Sequence, residues 1–404
     1  MTDRRILLAD ADAFFVAVAR MVDPEGAGKA PLLIVGGTRE SRGVVCSASY
    51  EARKYGVRSA MPIARALRLC PQAMCVPVPR RACSEKSRQI RAVLDRFAPI
   101  VAGASVDEWY LDLGGTEGLY ANEPLAVTAA RIRESVSAAT TLSVSIGGGT
   151  NKLVAKLAVE RAKPKPGSGA TGVHIVAPGD EARFLATFDL GDIPMIGPRF
   201  QERLAKLGMR SVTDVLQYDA ATLAQWLGGT EAGWLYNRVR GIDTTEIEAH
   251  GDAKSISRDE TFSVDIHSDD ELARELLALV TRAAADLRGD ALTARTITVR
   301  IRDHDFKTRQ ASRTLDAPVI SDRVILEVSR RLLSKLRQAR RVPARLLGVG
   351  LSSLAVDAAA DQLTLFERDS ELAETDRDRV IARTIDRVRS KFGEKGIFPA
   401  GLAD

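Results

Sequence analysis

The sequence predicts an α+β protein of several domains, and three observations carry that expectation. At 404 residues the chain is too long for one hydrophobic core. Its first half orders short apolar runs and amphipathic helical periodicities as β-α-β-β-α-β, a ferredoxin-like arrangement. Its second half carries an alternating basic strand pattern that reads as part of a separate sheet.

The elements follow in order. "RRILLAD" (4–10) reads as a buried strand, and residues 14–81 as an insertion after it. "SEKSRQIRAVLDRF" (84–97) has Ile90, Val93, Leu94 and Phe97 at helical spacing, which predicts a helix capped by Ser84. "IVAGA" and "VDEWYLDL" read as two short strands, "PLAVTAARIRESVSAA" (124–139) as a helix and "TLSVSI" (141–146) as a strand. "IPMIGPRFQERLAKLGMRSVTDVL" (193–216) reads as a helix-hairpin-helix, whose tight "IGP" turn would offer backbone N–H groups to a phosphate; a plain turn between helices is the other reading. A linker follows near 246–253, and "RDRVIARTIDRVRSKFG" (377–393) closes the chain as a helix ended by Gly393.

The chemistry sits in the carboxylates. Asp107 and Glu108 stand side by side in an apolar strand-like run, where an unneutralised charge is costly. Right-handed crossovers set the third strand antiparallel beside the first, so Asp10, at the end of that first strand, is expected to meet them. Three carboxylates repel unless cations bridge them, and oxygen-only ligands favour Mg²⁺ or Mn²⁺. The expectation is two-metal phosphoryl transfer; a solvated turn is the alternative for an Asp-Glu pair taken alone.

Charge points to an anionic partner. The formal net charge is +5, and residues 253–353 hold 19 Lys/Arg against 14 Asp/Glu, an excess of 5 that matches the whole chain's. In "RTITVRIR", Thr296, Thr298, Arg300 and Arg302 share one face, and "KTRQASR" adds Lys307, Arg309 and Arg313. These five basic residues read as a strand face tracking a phosphate backbone, or else as an ordinary solvated face. Four scattered cysteines without a CxxC pair suggest a reducing compartment and neither zinc nor disulfides, and four isolated histidines argue against histidine-based metal or triad chemistry. No run reaches about 18 apolar residues, and the N-terminus does not read as a signal peptide, so neither a membrane partner nor secretion is expected. Gln362, Leu363, Leu365 and Phe366 form an apolar peptide in a polar stretch, which reads as a docking motif or as a strand of its own domain.

Five motifs in order then resemble the Y-family, the lesion-bypass DNA polymerases, in its bacterial branch. "LADADAFFVAV" is similar to the family's first metal motif, "SASYEARKYGVRSAMPIARALRLCP" to its fingers signature, and "SVDEWYLDL" to its second metal motif. "TNKLVAKLAVERAKP" resembles its palm helix and "KSISRDETF" the start of its little finger. The resemblance implies a right-hand polymerase: a ferredoxin-like palm (1–13 and 82–176), small fingers (14–81), a helical thumb with the helix-hairpin-helix (177–245), a linker (246–252), an α/β little finger (253–353) and a tail (354–404). It implies Asp10, Asp107 and Glu108 as catalytic carboxylates that bind two Mg²⁺ ions with the Ala11 carbonyl. It implies Phe14, Phe15, Tyr50, Arg53 and Lys163 around the triphosphate, Phe15 as the steric gate under the sugar, and Cys46 and Ala60 as a small-residue roof over the nascent base pair. Gln362–Phe366 is similar to the bacterial sliding-clamp peptide. The implied protein is a cytoplasmic, nucleoid-associated monomer that adds dNTPs to primer-template DNA. Three departures stand out: Ala19 where a Glu is common, Trp109 after the acidic pair where it could reshape the primer side, and a strand-to-helix turn around Gly147–Thr150 that reads as longer than usual. Ala19, the turn and the long tail after the clamp-like peptide leave open a non-catalytic adaptor that binds clamp and primed DNA, against which the intact carboxylates argue; a metal-dependent nuclease is weaker, because "YEAR" and "RAKP" suit a triphosphate better than water attack.

Overall fold

The computed structural model describes residues 4–39, 42–164, 169–248, 253–357, 373–393 and 396–402. It divides into two compact units, residues 1–251 and 252–404.

The first unit is built on a five-stranded sheet of order β5-β6-β1-β7-β8. Its strands are β1 (Ile6–Ala11), β5 (Ile100–Gly103), β6 (Glu108–Asp112), β7 (Val144–Gly149) and β8 (Val173–Ile175). The first four have the ferredoxin-like order, and β1 runs antiparallel to both β6 and β7, as the crossover argument requires. Alternation sends Leu7, Ala9, Trp109, Leu111, Val144 and Ile146 to one face, beneath α4 (Arg80–Leu94) and α5 (Leu125–Thr140). Helix α4 begins four residues before the expected Ser84; Pro79 is its N-cap, and Phe97 packs half-buried beyond its end.

The opposite face carries Ile6 and Leu8 against α6 (Lys152–Ala162). Seven of the eleven residues of α6 are buried, because its other side packs against the helical layer that follows. Gly147–Gly149 belong to β7 and are not the long turn the sequence suggested; only Thr150 and Asn151, the N-cap, separate strand from helix. The glycines permit close approach. A Cβ on Gly147 would lie 2.0 Å from the Val159 backbone nitrogen and 2.4 Å from the Ala155 carbonyl oxygen.

Between β1 and α4 lie α1 (Phe14–Val22), β2 (Leu33–Val35), β3 (Ser47–Ala48), α2 (Tyr50–Lys54), α3 (Ile63–Leu69) and β4 (Met74–Val76). Strands β3, β2 and β4 form a small sheet with its own core of Ile34, Ala52, Ile63 and Ala66. Helix α1 joins that insertion to the main sheet: Phe14 and Val18 enter the β-sheet core, while Val16 and Ala19 pack on Leu33 and Val35. Ala19, 5% exposed, fits where a glutamate would bury a charge. Trp109 is 2% exposed in the core beneath α4 and α5, on the face away from the carboxylates.

The helical layer comprises α7 (Glu181–Leu185), α8 (Pro198–Lys206), α9 (Val212–Leu216), α10 (Ala220–Leu227) and α11 (Gly229–Val239). The Met195–Gly197 turn precedes α8, with Met195 at φ 74° and 78% exposed, Gly197 as N-cap and Pro198 in the first turn.

The second unit pairs β9 (Ser255–Ile266), β10 (Leu292–Asp303), β11 (Thr308–Val319) and β12 (Ala344–Val356) in the order β11-β10-β12-β9, all antiparallel. Ile297, Val299 and Ile301 are fully buried beneath α12 (Asp269–Gly289) and α13 (Asp322–Ala339), as the alternation predicts. The closing helix α14 (Asp376–Phe392) docks on this unit: Arg288 pairs with Asp386 and Arg323 with Asp378. Gln362, Leu363, Leu365 and Phe366 lie outside the described residues.

Candidate active site

The site is built at one end of the main sheet. Cross-strand register sets Asp10 directly opposite Glu108 on one side and Ser145 on the other, on the face that α6 covers. Asp107 lies one residue before β6, its carbonyl accepting the Ala11 N–H at 2.9 Å. Its carboxylate does not converge on the other two; it accepts the Ser105 hydroxyl at 2.5 Å. Among the described residues no three His, Cys, Asp or Glu side chains close around one point that could hold a metal ion. The expected triad is thus a facing pair with a third carboxylate on the adjoining loop.

Two lysines from α6 and its end neutralise the pair. Lys163 Nζ lies 2.9 Å from Asp10 Oδ2, and Lys156 Nζ lies 2.5 Å from Glu108 Oε1. Burial pushes the Asp10 carboxyl up to about 7, Lys163 working against that rise and Glu108 adding to it. Burial also acts to raise Glu108, but Lys156 outweighs it and holds Glu108 below the usual carboxylate range. Each carboxyl acts on the other, Glu108 adding to the rise at Asp10 and Asp10 helping to hold Glu108 down. For Lys163, burial acts to lower the pKa, and Asp10 and Glu160 together raise it above the ordinary lysine value. A hard-oxygen pair, Asp10 buried and Glu108 half-buried, that draws cationic charge to itself is a donor set that fits a divalent ion.

Around the pair, Ala13 in left-handed conformation (φ 46°) turns the chain so that α1 starts beside the site. Phe14 is buried, and half-buried Phe15 meets it edge-on with ring centroids 5.5 Å apart. Ser49 caps α2, whose first residue is Tyr50. Burial raises the Tyr50 hydroxyl, and the charges of Asp12, Arg53, Lys163 and Asp10 all act on it, which brings the insertion and the sheet to one place. Arg53 stacks over the Tyr50 ring at 5.0 Å and donates through Nε to the Ala48 carbonyl at 2.9 Å. Exposed Cys46 and Ala60 lie side by side: Ser59 donates to the Cys46 carbonyl and the Ala60 N–H to the Val45 carbonyl.

Sequence reasoning missed Asp12, whose carboxylate accepts hydroxyls from Ser143 at 2.6 Å and Ser145 at 2.7 Å, and Lys156. Lys156 left a signal: it is the one charge in the apolar run "LVAKLAV".

The five basic residues of the second unit divide. Arg300 and Arg302 stand on the sheet face away from the helices, with Arg300 exposed and 3.6 Å from Asp259, and Arg302 donating to Thr308 at 2.9 Å. Exposed Lys307 lies in the β10–β11 turn, 3.7 Å from Asp305. Arg309 and Arg313 do not share that open face, because they stand opposite Ile301 and Ile297 in the register. Arg309 is engaged with fully buried Asp303 at 2.9 Å and with the carbonyls of Leu336 and Arg340, a structural role at the end of α13.

Among the described residues no helix is long and apolar enough to cross a membrane, and all four cysteines are free thiols. Residues 9–160 match the impB/mucB/samB family, and residues 253–365 match that family's C-terminal domain. Relatives include DNA polymerase IV of Dehalococcoides mccartyi strain CBDB1, 35% identical over 97% of this chain and 96% of its own, and that of Desulfatibacillum aliphaticivorans, 33% identical over 100% and 98%. Among solved structures, a chimeric Y-family DNA polymerase built on Dbh superposes with a TM-score of 0.74 at 26% identity, covering 87% of this chain and 99% of its own. DinB from Sulfolobus solfataricus gives 0.57 at 26% identity, with the same coverage. With the ferredoxin-like sheet and its facing carboxylates, these matches show that the chain belongs to the impB/mucB/samB family, the Y-family DNA polymerases.

Proposed function

We infer that this protein is a template-directed DNA polymerase of the lesion-bypass class, adding dNTPs to a primer 3′ end. The observation that carries the reading is the Asp10–Glu108 pair in cross-strand register, held by Lys163 and Lys156. Asp10, Glu108, Asp107 and the Ala11 carbonyl would hold the divalent ions, two Mg²⁺ or alternatively Mn²⁺. Bound there, such ions lower the pKa of the primer hydroxyl and offset the charge of the leaving pyrophosphate.

The chain's own residues supply the rest. Lys163 can exchange its carboxylate for a phosphate oxygen, and Arg53 offers a planar fork to the triphosphate beside the Tyr50 hydroxyl. The start of α1, where Ala13 turns the chain in left-handed conformation, would offer the backbone N–H groups of Phe14 and Phe15 to the same anion, with the Phe15 ring beneath the sugar. Cys46 and Ala60, both small, leave room above a distorted base pair. In the second unit, Arg300, Arg302 and Lys307 are the residues suited to a phosphate backbone. The palm, fingers, thumb and little-finger boundaries given above are part of this reading. So are docking on a sliding clamp through Gln362, Leu363, Leu365 and Phe366, action as a monomer, and a cytoplasmic location on the nucleoid.

Primer extension with Mg²⁺ and dNTPs tests the whole. The wild-type chain is expected to lengthen the primer, an adaptor to leave it unchanged and a nuclease to shorten it. Asp107→Ala is expected to abolish addition with DNA binding nearly intact, and undiminished extension by that variant would refute the two-metal assignment.

A further inference from the structure

Lys156 and Lys163 are seven residues apart, two turns along one side of α6 and its end. Each ammonium meets a different carboxylate of the pair, Lys156 at Glu108 and Lys163 at Asp10. The helix has little freedom to carry them elsewhere. Leu153, Val154, Leu157, Ala158 and Val159 are buried, and Gly147 lets the helix backbone rest directly on β7. Two carboxylates that would repel each other therefore have two cations fixed beside them by a helix pinned on both sides.

Lys163 has a second use in the triphosphate. Lys156 has none in the function above, yet it is the closer of the two to its carboxylate. Its side chain is 30% exposed, and it borders two cavities of about 480 and 450 Å³, one shared with Tyr110, Lys152 and Arg238, the other with Glu160 and Asp192. The ammonium therefore has room to swing off Glu108 without opening the core. An ammonium and a divalent cation on one carboxylate oxygen repel, so occupancy of Glu108 by one weakens occupancy by the other.

We propose that Lys156 is a positioning residue, an internal counter-ion that competes with the divalent cation for Glu108 and so lowers the metal affinity of the enzyme before DNA and nucleotide arrive. The proposal rests on Glu108 being a metal ligand. It makes a prediction opposite in sign to a structural role: removing the charge tightens metal binding.

The test is Mn²⁺ binding by electron paramagnetic resonance on the full chain, without DNA or nucleotide. Lys156→Gln is expected to bind Mn²⁺ roughly two- to fivefold more tightly than wild type, the gain appropriate to releasing a partly exposed ion pair. Lys156→Arg, which keeps the charge, is expected to match wild type, and Glu108→Gln to bind more weakly. Lys156→Met, which keeps the stem's packing, runs in parallel, so a folding defect in the Gln variant leaves the question decidable. If Glu108→Gln weakens binding while both neutral Lys156 variants bind no more tightly than wild type, the counter-ion role is wrong and the metal assignment stands. If Glu108→Gln leaves binding unchanged, the metal assignment itself fails, and this proposal with it.

Discussion

Gly147→Ala perturbs the packing on which the site depends. The residue lies mid-strand in β7, facing α6, and an added Cβ would stand 2.0 Å from the Val159 backbone nitrogen. Ordinary contact begins near 3.4 Å, so α6 must retreat by about 1.4 Å locally; the obstructing atoms are helix backbone, which cannot rotate away. Overpacking a dense core costs about 1–3 kcal/mol, and an obstruction by backbone belongs at the upper end. The retreat also moves Lys156 and the approach to Lys163, and a misplacement of about 1 Å near reacting groups can lower a rate about 100-fold. Urea denaturation and single-nucleotide incorporation on one preparation read both effects. The control is Gly233→Ala in α11, where nothing lies within 4 Å of the new Cβ; it is expected to stabilise by up to about 1 kcal/mol without changing activity. A Gly147→Ala protein with wild-type midpoint and wild-type rate would show that α6 is not held against β7 as described.

Phe15→Ala is expected to admit ribonucleotides much more readily at modest cost to dNTP use, since even ~3 kcal/mol of lost discrimination exceeds a hundredfold in the rate ratio. An unchanged rNTP/dNTP ratio with about 3–5 kcal/mol of lost stability would return Phe15 to the core. The basic residues of the second unit should separate by face. Arg300→Ala is expected to weaken DNA binding and reduce its salt slope by about 1, whereas Arg309→Ala should leave DNA binding alone and cost about 1–3 kcal/mol, because buried Asp303 loses one of its two guanidinium partners among the described residues and keeps Arg340. For α14, the Arg323 guanidinium holds the Asp378 carboxyl well below the usual carboxylate range, so docking is full above about pH 4 and weakens as pH falls toward the depressed value. Amide exchange in α14 should accelerate in acid before exchange in α12 does, and Asp378→Asn should show the faster rate already at pH 7.

Some of this was legible because it is local. The alternation of "RTITVRIR" correctly assigned its buried face, since side-chain direction in a strand depends only on position. Asp10 and Glu108 could be brought together from element order, because crossover handedness leaves few ways to pair the strands. Ser84 failed as a cap because a hydroxyl before an apolar stretch is a weak signal when Pro79 stands upstream. Gly147–Gly149 failed because glycine marks both turns and close approach, and only the partner backbone distinguishes them. Arg309 failed because a basic residue two positions from the next looks the same whether it faces solvent or a buried aspartate.

The sequence by itself determined the α+β character, the acidic end of the first strand and the buried face of β10, all carried by period and charge along the chain. Tertiary structure alone decided which strands are neighbours in the second unit. Both units order their elements β-α-β-β-α-β, yet in the first the strand between the two that flank the first helix is the third, β6, and in the second it is the fourth, β12. The four strands of each such set pair antiparallel, so strand direction does not choose between the two orders. The same holds at the active site. The carboxylates announce themselves in sequence, but the lysines that neutralise them come from α6 and its end, and that helix lies close enough because Gly147 in β7 leaves its backbone room.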